Sequence, residues 1–97
     1  MSSPERQFEV VFRNKAAQPI KGIADKHWNQ IESKLKELET NPRPNDSIKL
    51  KARNPCFRVN IGEYRIGYQI FESERIVRVI LIAHRKDFYD KLKYILT

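Results

Sequence analysis

The chain has 97 residues, with 19 Lys and Arg against 12 Asp and Glu and a formal charge of +7. That length suits one compact domain over residues 1–97 with a single modest core, and leaves no room for a second. No apolar run is long enough to span a bilayer, and the opening "MSSPERQFEVVFRNK" lacks a signal core, so a cytoplasmic protein is expected.

So basic a balance favours a polyanionic partner: RNA, DNA or an acidic protein. Cys56 is the single cysteine and cannot form an internal disulfide. With no reactive motif around it, it reads as a small, partly buried residue beside a strand.

In chain order, "QFEVVF" alternates Phe8, Val10 and Phe12 with Glu9 and Val11, which predicts a strand. "NKAAQPIKGIADK" contains Pro19 and Gly22 and predicts only a short helix, the first of a helical pair. "KHWNQIESKLKELE" is the second. Trp28, Ile31, Leu35 and Leu38 fall on one helical face, and Asp25 can cap its start. Pro42 and Pro44 in "TNPRPND" end it.

The second half predicts a three-stranded antiparallel meander and a terminal helix. "FRVNI" and "YRIGYQIF" flank "GE", whose leading Gly62 suits a type II′ turn. That turn pairs Ile61 with Tyr64, Asn60 with Arg65, Val59 with Ile66 and Arg58 with Gly67. A second turn centred on Ser73 and Glu74 pairs Ile70 with Val77, Tyr68 with Val79, Ile66 with Leu81 and Tyr64 with Ala83. "IVRVILIA" is apolar on both faces, as a central strand should be, and the first strand is expected beside it. "KDFYDKLKYIL" places Phe88, Leu92 and Ile95 at helical spacing, with Tyr89 alongside.

This register predicts a core face of Val59, Ile61, Tyr64, Ile66, Tyr68, Ile70, Val77, Val79 and Leu81, covered by the helices. The opposite face, expected to be concave and basic, collects Arg58, Asn60, Arg65, Gly67, Gln69, Arg78 and His84, with Ile80 and Ile82 between them. Gly67 leaves a gap through which a ligand could approach. Such a face is either solvated or a polyanion site, and three arginines with a histidine near a glycine favour the second. "SIKLKARNPCFR" adds Lys49, Lys51 and Arg53 as a connector that could flank a phosphate backbone.

No carboxylate pair, Gly-rich phosphate loop, CxxC or HExxH occurs, so neither metal nor cofactor is expected. His27 belongs to the first turn of the long helix and is assigned no role. Metal-free RNA cleavage fits what remains. Arginines stabilise phosphorane charge, a histidine moves protons near neutrality, and a tyrosine can stack on a base or, with its pKa lowered, transfer a proton. The same residues would bind RNA without cutting it, so both outcomes stay open at this level.

"KLKARNPCFRVNIGEYRIGYQI" with "VRVILIAHRKDFYDKL" resembles the RelE/ParE superfamily of bacterial type II toxin–antitoxin toxins, over roughly the last half of the chain. The resemblance implies a RelE-like α+β fold and a ribosome-dependent endoribonuclease that cleaves mRNA in the A site, held inactive by a cognate antitoxin. It implies that Arg58 and Arg65 contact the scissile phosphate and that Arg85 stabilises the transition state. Tyr89 would stack on or contact the cleaved nucleotide, and His84 would serve as acid or base. The family's strand lysines are replaced here by Arg58 and Asn60, neither of them a base. His84 reads equally as a strand-end residue bonded to a loop carbonyl. ParE-type members act on DNA gyrase instead, and an inactive RNA-binding module is a further alternative.

Overall fold

The computed structural model describes residues 7–13, 23–51 and 55–96. Strand β1 (Glu9–Phe12) precedes helix α1 (Asp25–Thr40). Strands β2 (Ile48–Leu50), β3 (Cys56–Ile61), β4 (Tyr64–Phe71) and β5 (Ile76–His84) follow, and helix α2 (Phe88–Leu96) ends the chain. The fold is α+β as expected, built on one mixed sheet in the order β1-β5-β4-β3-β2. The expected short helix around Pro19 lies outside the described residues.

Strand β1 runs parallel to β5, the neighbour expected for it. Parallel neighbours need a crossover, and α1 lies in this one. Strand β2 is an addition to the expected meander: it pairs antiparallel with β3, where the sequence reads as a connector. Three residues are too few to display a period of two.

Ile31, Leu35 and Leu38 of α1 are buried, and Trp28 packs beside them. Ala24, not Asp25, is the N-cap; Asp25 sits in the first turn, where its charge complements the helix dipole. At the other end the Phe8 amide donates to Glu39 O at 2.7 Å, tying the entry of β1 to α1. The loop after α1 is anchored from the sheet. Tyr68 is wholly buried and its hydroxyl donates to Pro42 O at 2.8 Å.

The β3–β4 register is as predicted from Ile61↔Tyr64 to Arg58↔Gly67. Gly62 has φ +57°, as the first position of a type II′ turn requires. The β4–β5 register is as predicted for Ile70↔Val77 and Tyr68↔Val79, and then shifts between Gly67 and Tyr68. Gly67 pairs with Leu81, Ile66 with Ile82 and Tyr64 with His84. Ile80 is therefore an extra residue in β5, a β-bulge.

The bulge corrects the predicted faces. Beyond it, Ile82 and His84 turn to the side of α1, and Leu81 and Ala83 turn away from it. Ile82 packs with Val59, Ile66 and the α1 residues, whereas Ile80, Leu81 and Ala83 pack with Cys56, Phe88 and Leu92. The helices thus cover both faces of the sheet, α1 on one and α2 on the other, not the single face expected.

Cys56, expected to be partly buried, is wholly buried, and burial raises its thiol pKa. Gly67 does not leave an open gap. A Cβ there would lie 3.0 Å from Phe88 Cζ, so the glycine is where α2 seats its aromatic ring.

Burial, with the carboxylates of Asp46 and Glu37 acting in the same direction and Ser47 and Arg43 opposing, pushes the Tyr68 phenol up to about 12 from 10.0. The folded state disfavours the phenolate, so this contribution to stability is intact below pH 10 and lost as pH rises through about 12. Denaturant unfolding between pH 9 and 12.5 should therefore show stability falling more steeply in the parent protein than in Tyr68→Phe.

Candidate functional site

Arg58, Asn60 and Arg65 lie on the α2 face of the sheet. Asn60 and Arg65 are direct cross-strand partners, and Arg58 lies opposite Gly67 on one side and Ile48 on the other. From α2, Tyr89 reaches over this row, and Arg58 Nη1 donates to its hydroxyl oxygen at 2.6 Å. The ring of Tyr89 meets Phe88 edge-on at 5.2 Å and remains 50% exposed, free to meet a ligand. Arg58 Nε is buried without an acceptor, so packing and the phenol hold this side chain.

A second group of polar residues gathers at the β3–β4 turn. Arg65 Nη1 donates to Gly62 O at 3.3 Å and to Tyr64 O at 3.2 Å, curling back over the turn. The Arg85 amide donates to Glu63 O at 2.7 Å, and Arg85 Nε lies 3.2 Å from Glu63 Oε2. His84 Nε2 stands 3.7 Å from the same oxygen. The turn thus holds the end of β5 by backbone and side chain at once.

His84 does not share the Arg58 face, contrary to the sequence expectation. Its ring meets Tyr64 edge-on at 5.6 Å, and Tyr64 meets His27 at 5.5 Å on the α1 side. The cause is the extra residue Ile80, which reverses the alternation before His84 is reached. Its Nδ1 accepts from the Lys86 amide at 3.1 Å, a loop amide rather than the loop carbonyl considered above.

Lys49 pairs with Phe57, whose ring stacks on Tyr68, so Lys49 lies on the α1 face, away from Arg58. Lys51 is exposed just beyond β2, and Arg53 lies outside the described residues. Of the sequence-predicted residues, the structure brings together Arg58 with Tyr89 and Asn60 with Arg65. His84 and Arg85 meet through Glu63.

Glu63 is the residue sequence reasoning passed over as half of a turn. The available signal was its place: a two-residue turn between β3 and β4 sits beside the end of β5, where Arg85 follows. No group of His, Cys, Asp and Glu able to hold a metal occurs among the described residues. Among them, no helix is long and apolar enough to cross a membrane.

A family model described as the ParE toxin of type II toxin–antitoxin systems, parDE, matches residues 10–89. A protein named RelE1 from Methanocaldococcus jannaschii is 24% identical over 86 residues, spanning 86% of this chain and 96% of that one. A chain of the archaeal RelE–RelB complex from Pyrococcus horikoshii OT3 superposes with a TM-score of 0.71 at 19% identity, covering 81% of this chain and 96% of that chain. The isolated E. coli RelE toxin gives 0.67 at 20% identity, covering 92% and 99%. At these identities the structural likeness is one of fold.

Helix α2 is held by Phe88 and Leu92, whereas the Arg58–Tyr89 bond is exposed. Phe88→Ala should cost about 3–5 kcal/mol in urea unfolding. Tyr89→Phe should change stability by less than about 1 kcal/mol. A loss for Tyr89→Phe as large as that for Phe88→Ala would show that the phenol holds the helix in place.

Proposed function

The chain belongs to the ParE toxin family of type II toxin–antitoxin systems, and we propose that it acts as a RelE-like endoribonuclease. In this reading it cuts mRNA in the ribosomal A site and so stops translation. The observation that carries the reading is the Arg58–Tyr89 pair. A guanidinium and a half-exposed phenol are held in contact at 2.6 Å on a face that also carries Asn60 and Arg65.

The reaction is attack of the ribose 2′ oxygen on the adjacent phosphorus. The O2′–P bond forms, the P–O5′ bond breaks, the 2′ proton leaves to a base and the 5′ oxygen takes up a proton. Arg58 and Arg65 supply donors for the scissile phosphate, and Arg85 adds positive charge as the phosphorane forms. Tyr89 presents a ring on which the cleaved nucleotide stacks, with its hydroxyl at the phosphate end.

We assign proton transfer to Tyr89 rather than His84. The phenol is bonded to Arg58, whereas the bulge turns His84 toward Tyr64. Asn60 contributes hydrogen bonds and no proton transfer. Lys51 and Arg53 add positive charge that would strengthen contact with rRNA or mRNA and make it salt-sensitive, whereas Lys49 lies on the opposite face of the sheet from Arg58.

The working place of such a toxin is the cytoplasm. Its partner in the resting cell is an antitoxin, a reading supported by the solved complex of the P. horikoshii relative with RelB. An acidic or amphipathic antitoxin segment that covers Tyr89 and α2 would close the site. A second reading, inhibition of DNA gyrase without RNA cleavage, is favoured by the ParE description of the matching family.

The test is to induce the protein in cells and map mRNA 5′ ends. New ends within codons are expected, reduced by about 10²-fold or more in Arg58→Ala, Arg85→Ala and Tyr89→Ala. His84→Ala should lower cleavage far less than Tyr89→Ala. Growth arrest with double-strand DNA breaks and no new ends would overturn the nuclease reading in favour of gyrase.

A further inference from the structure

Glu63 is the one acidic side chain drawn into the arginine-bearing end of the sheet by the contacts described above. Its Oε2 lies 3.2 Å from Arg85 Nε and 3.7 Å from His84 Nε2. The placement is built by the backbone. Gly62 at φ +57° shapes the turn, Arg65 binds the carbonyls on either side of Glu63, and the Arg85 amide binds Glu63 O. The carboxylate therefore sits against the Nε edge of the Arg85 guanidinium, one of the edges that a phosphate could meet.

We propose that Glu63 is a resident anion that holds Arg85 in the ligand-free protein, and that an RNA phosphate displaces it when the substrate backbone arrives. The inference deepens the nuclease reading above and rests on it. A carboxylate and a phosphate oxygen accept from a guanidinium in the same geometry, so the exchange needs only a side-chain swing of Arg85. Both partners are about half exposed, 54% for Arg85 and 55% for Glu63, so water screens the pair and the hold is weak enough to be exchanged. Glu63 is then a positioning residue. It keeps the Arg85 side chain from wandering, and it selects for ligands whose negative charge is dense enough to outcompete a carboxylate.

The pairing makes a prediction that simple charge repulsion does not. Removing the Glu63 charge should help RNA only while Arg85 is there to be released. The experiment measures binding of a short single-stranded RNA across a range of salt concentrations for the parent protein, Glu63→Gln, Arg85→Ala and the double variant. The arginine Nε–Hε resonances are followed by NMR in the same titrations. Glu63→Gln should tighten binding about three- to tenfold and steepen the salt dependence, and it should have no effect in the Arg85→Ala background. The Arg85 Hε resonance should shift in Glu63→Gln, and in the parent protein it should move as RNA is added.

Equal tightening in both backgrounds would overturn the inference, since it would mark general repulsion. Movement of Arg58 and Arg65 resonances with RNA while Arg85 stays still would also overturn it, leaving the RNA-binding reading intact. If no arginine resonance moves with RNA, the RNA reading and the inference fall together.

Discussion

Between Val79 and Leu81 the central strand holds one residue more than its partner can match, and this insertion decides which side chains share a face. Ile80 has no opposite number in β4, so Ile80 and Leu81 both turn toward α2. Were the same residues paired without a bulge, strict alternation would send Leu81 into the α1 core and turn His84 to the face that carries Arg58. With it, Ile82 completes the α1 core and His84 is carried to Tyr64. A local irregularity in one ladder thereby sets the composition of the site at the strand's end.

The same point in the sheet receives α2. Gly67 lies beside the bulge and presents no side chain, and Phe88 fills that space against Ile80. Docking the first residue of α2 there fixes the next one, and Tyr89 comes to rest on Arg58. The chain of cause runs from a missing Cβ, through a buried ring, to an exposed phenol paired with a guanidinium. Burial of Phe88 stabilises this arrangement far more than the Arg58–Tyr89 bond does, since exposed hydrogen bonds add little net energy. The polar contact is thus available for function because the apolar one holds the helix.

Much of this was legible from the sequence. The alternation in "FRVNI" and "YRIGYQIF" set the β3–β4 register, because polar and apolar residues differ sharply between the two faces there. In "IVRVILIAH" the alternation disappears, since a central strand covered on both sides is apolar at nearly every position. A one-residue insertion in such a run leaves no trace in the pattern, and the face of His84 was lost with it. Strand β2 was missed because Ile48–Leu50 is too short to show a period. Glu63 was hidden for another reason: a turn acid looks like solvated punctuation until the neighbouring strand end brings Arg85 against it.

The bulge at Ile80 separates His84 from the Arg58–Tyr89 face. Proton–proton NOEs from the His84 ring in the labelled protein test this separation most directly. Contacts from His84 to the Tyr64 ring, and none to Phe88 or Tyr89, are expected. Contacts from His84 to Tyr89 or Phe88, with none to Tyr64, would contradict it and restore the histidine to the arginine face.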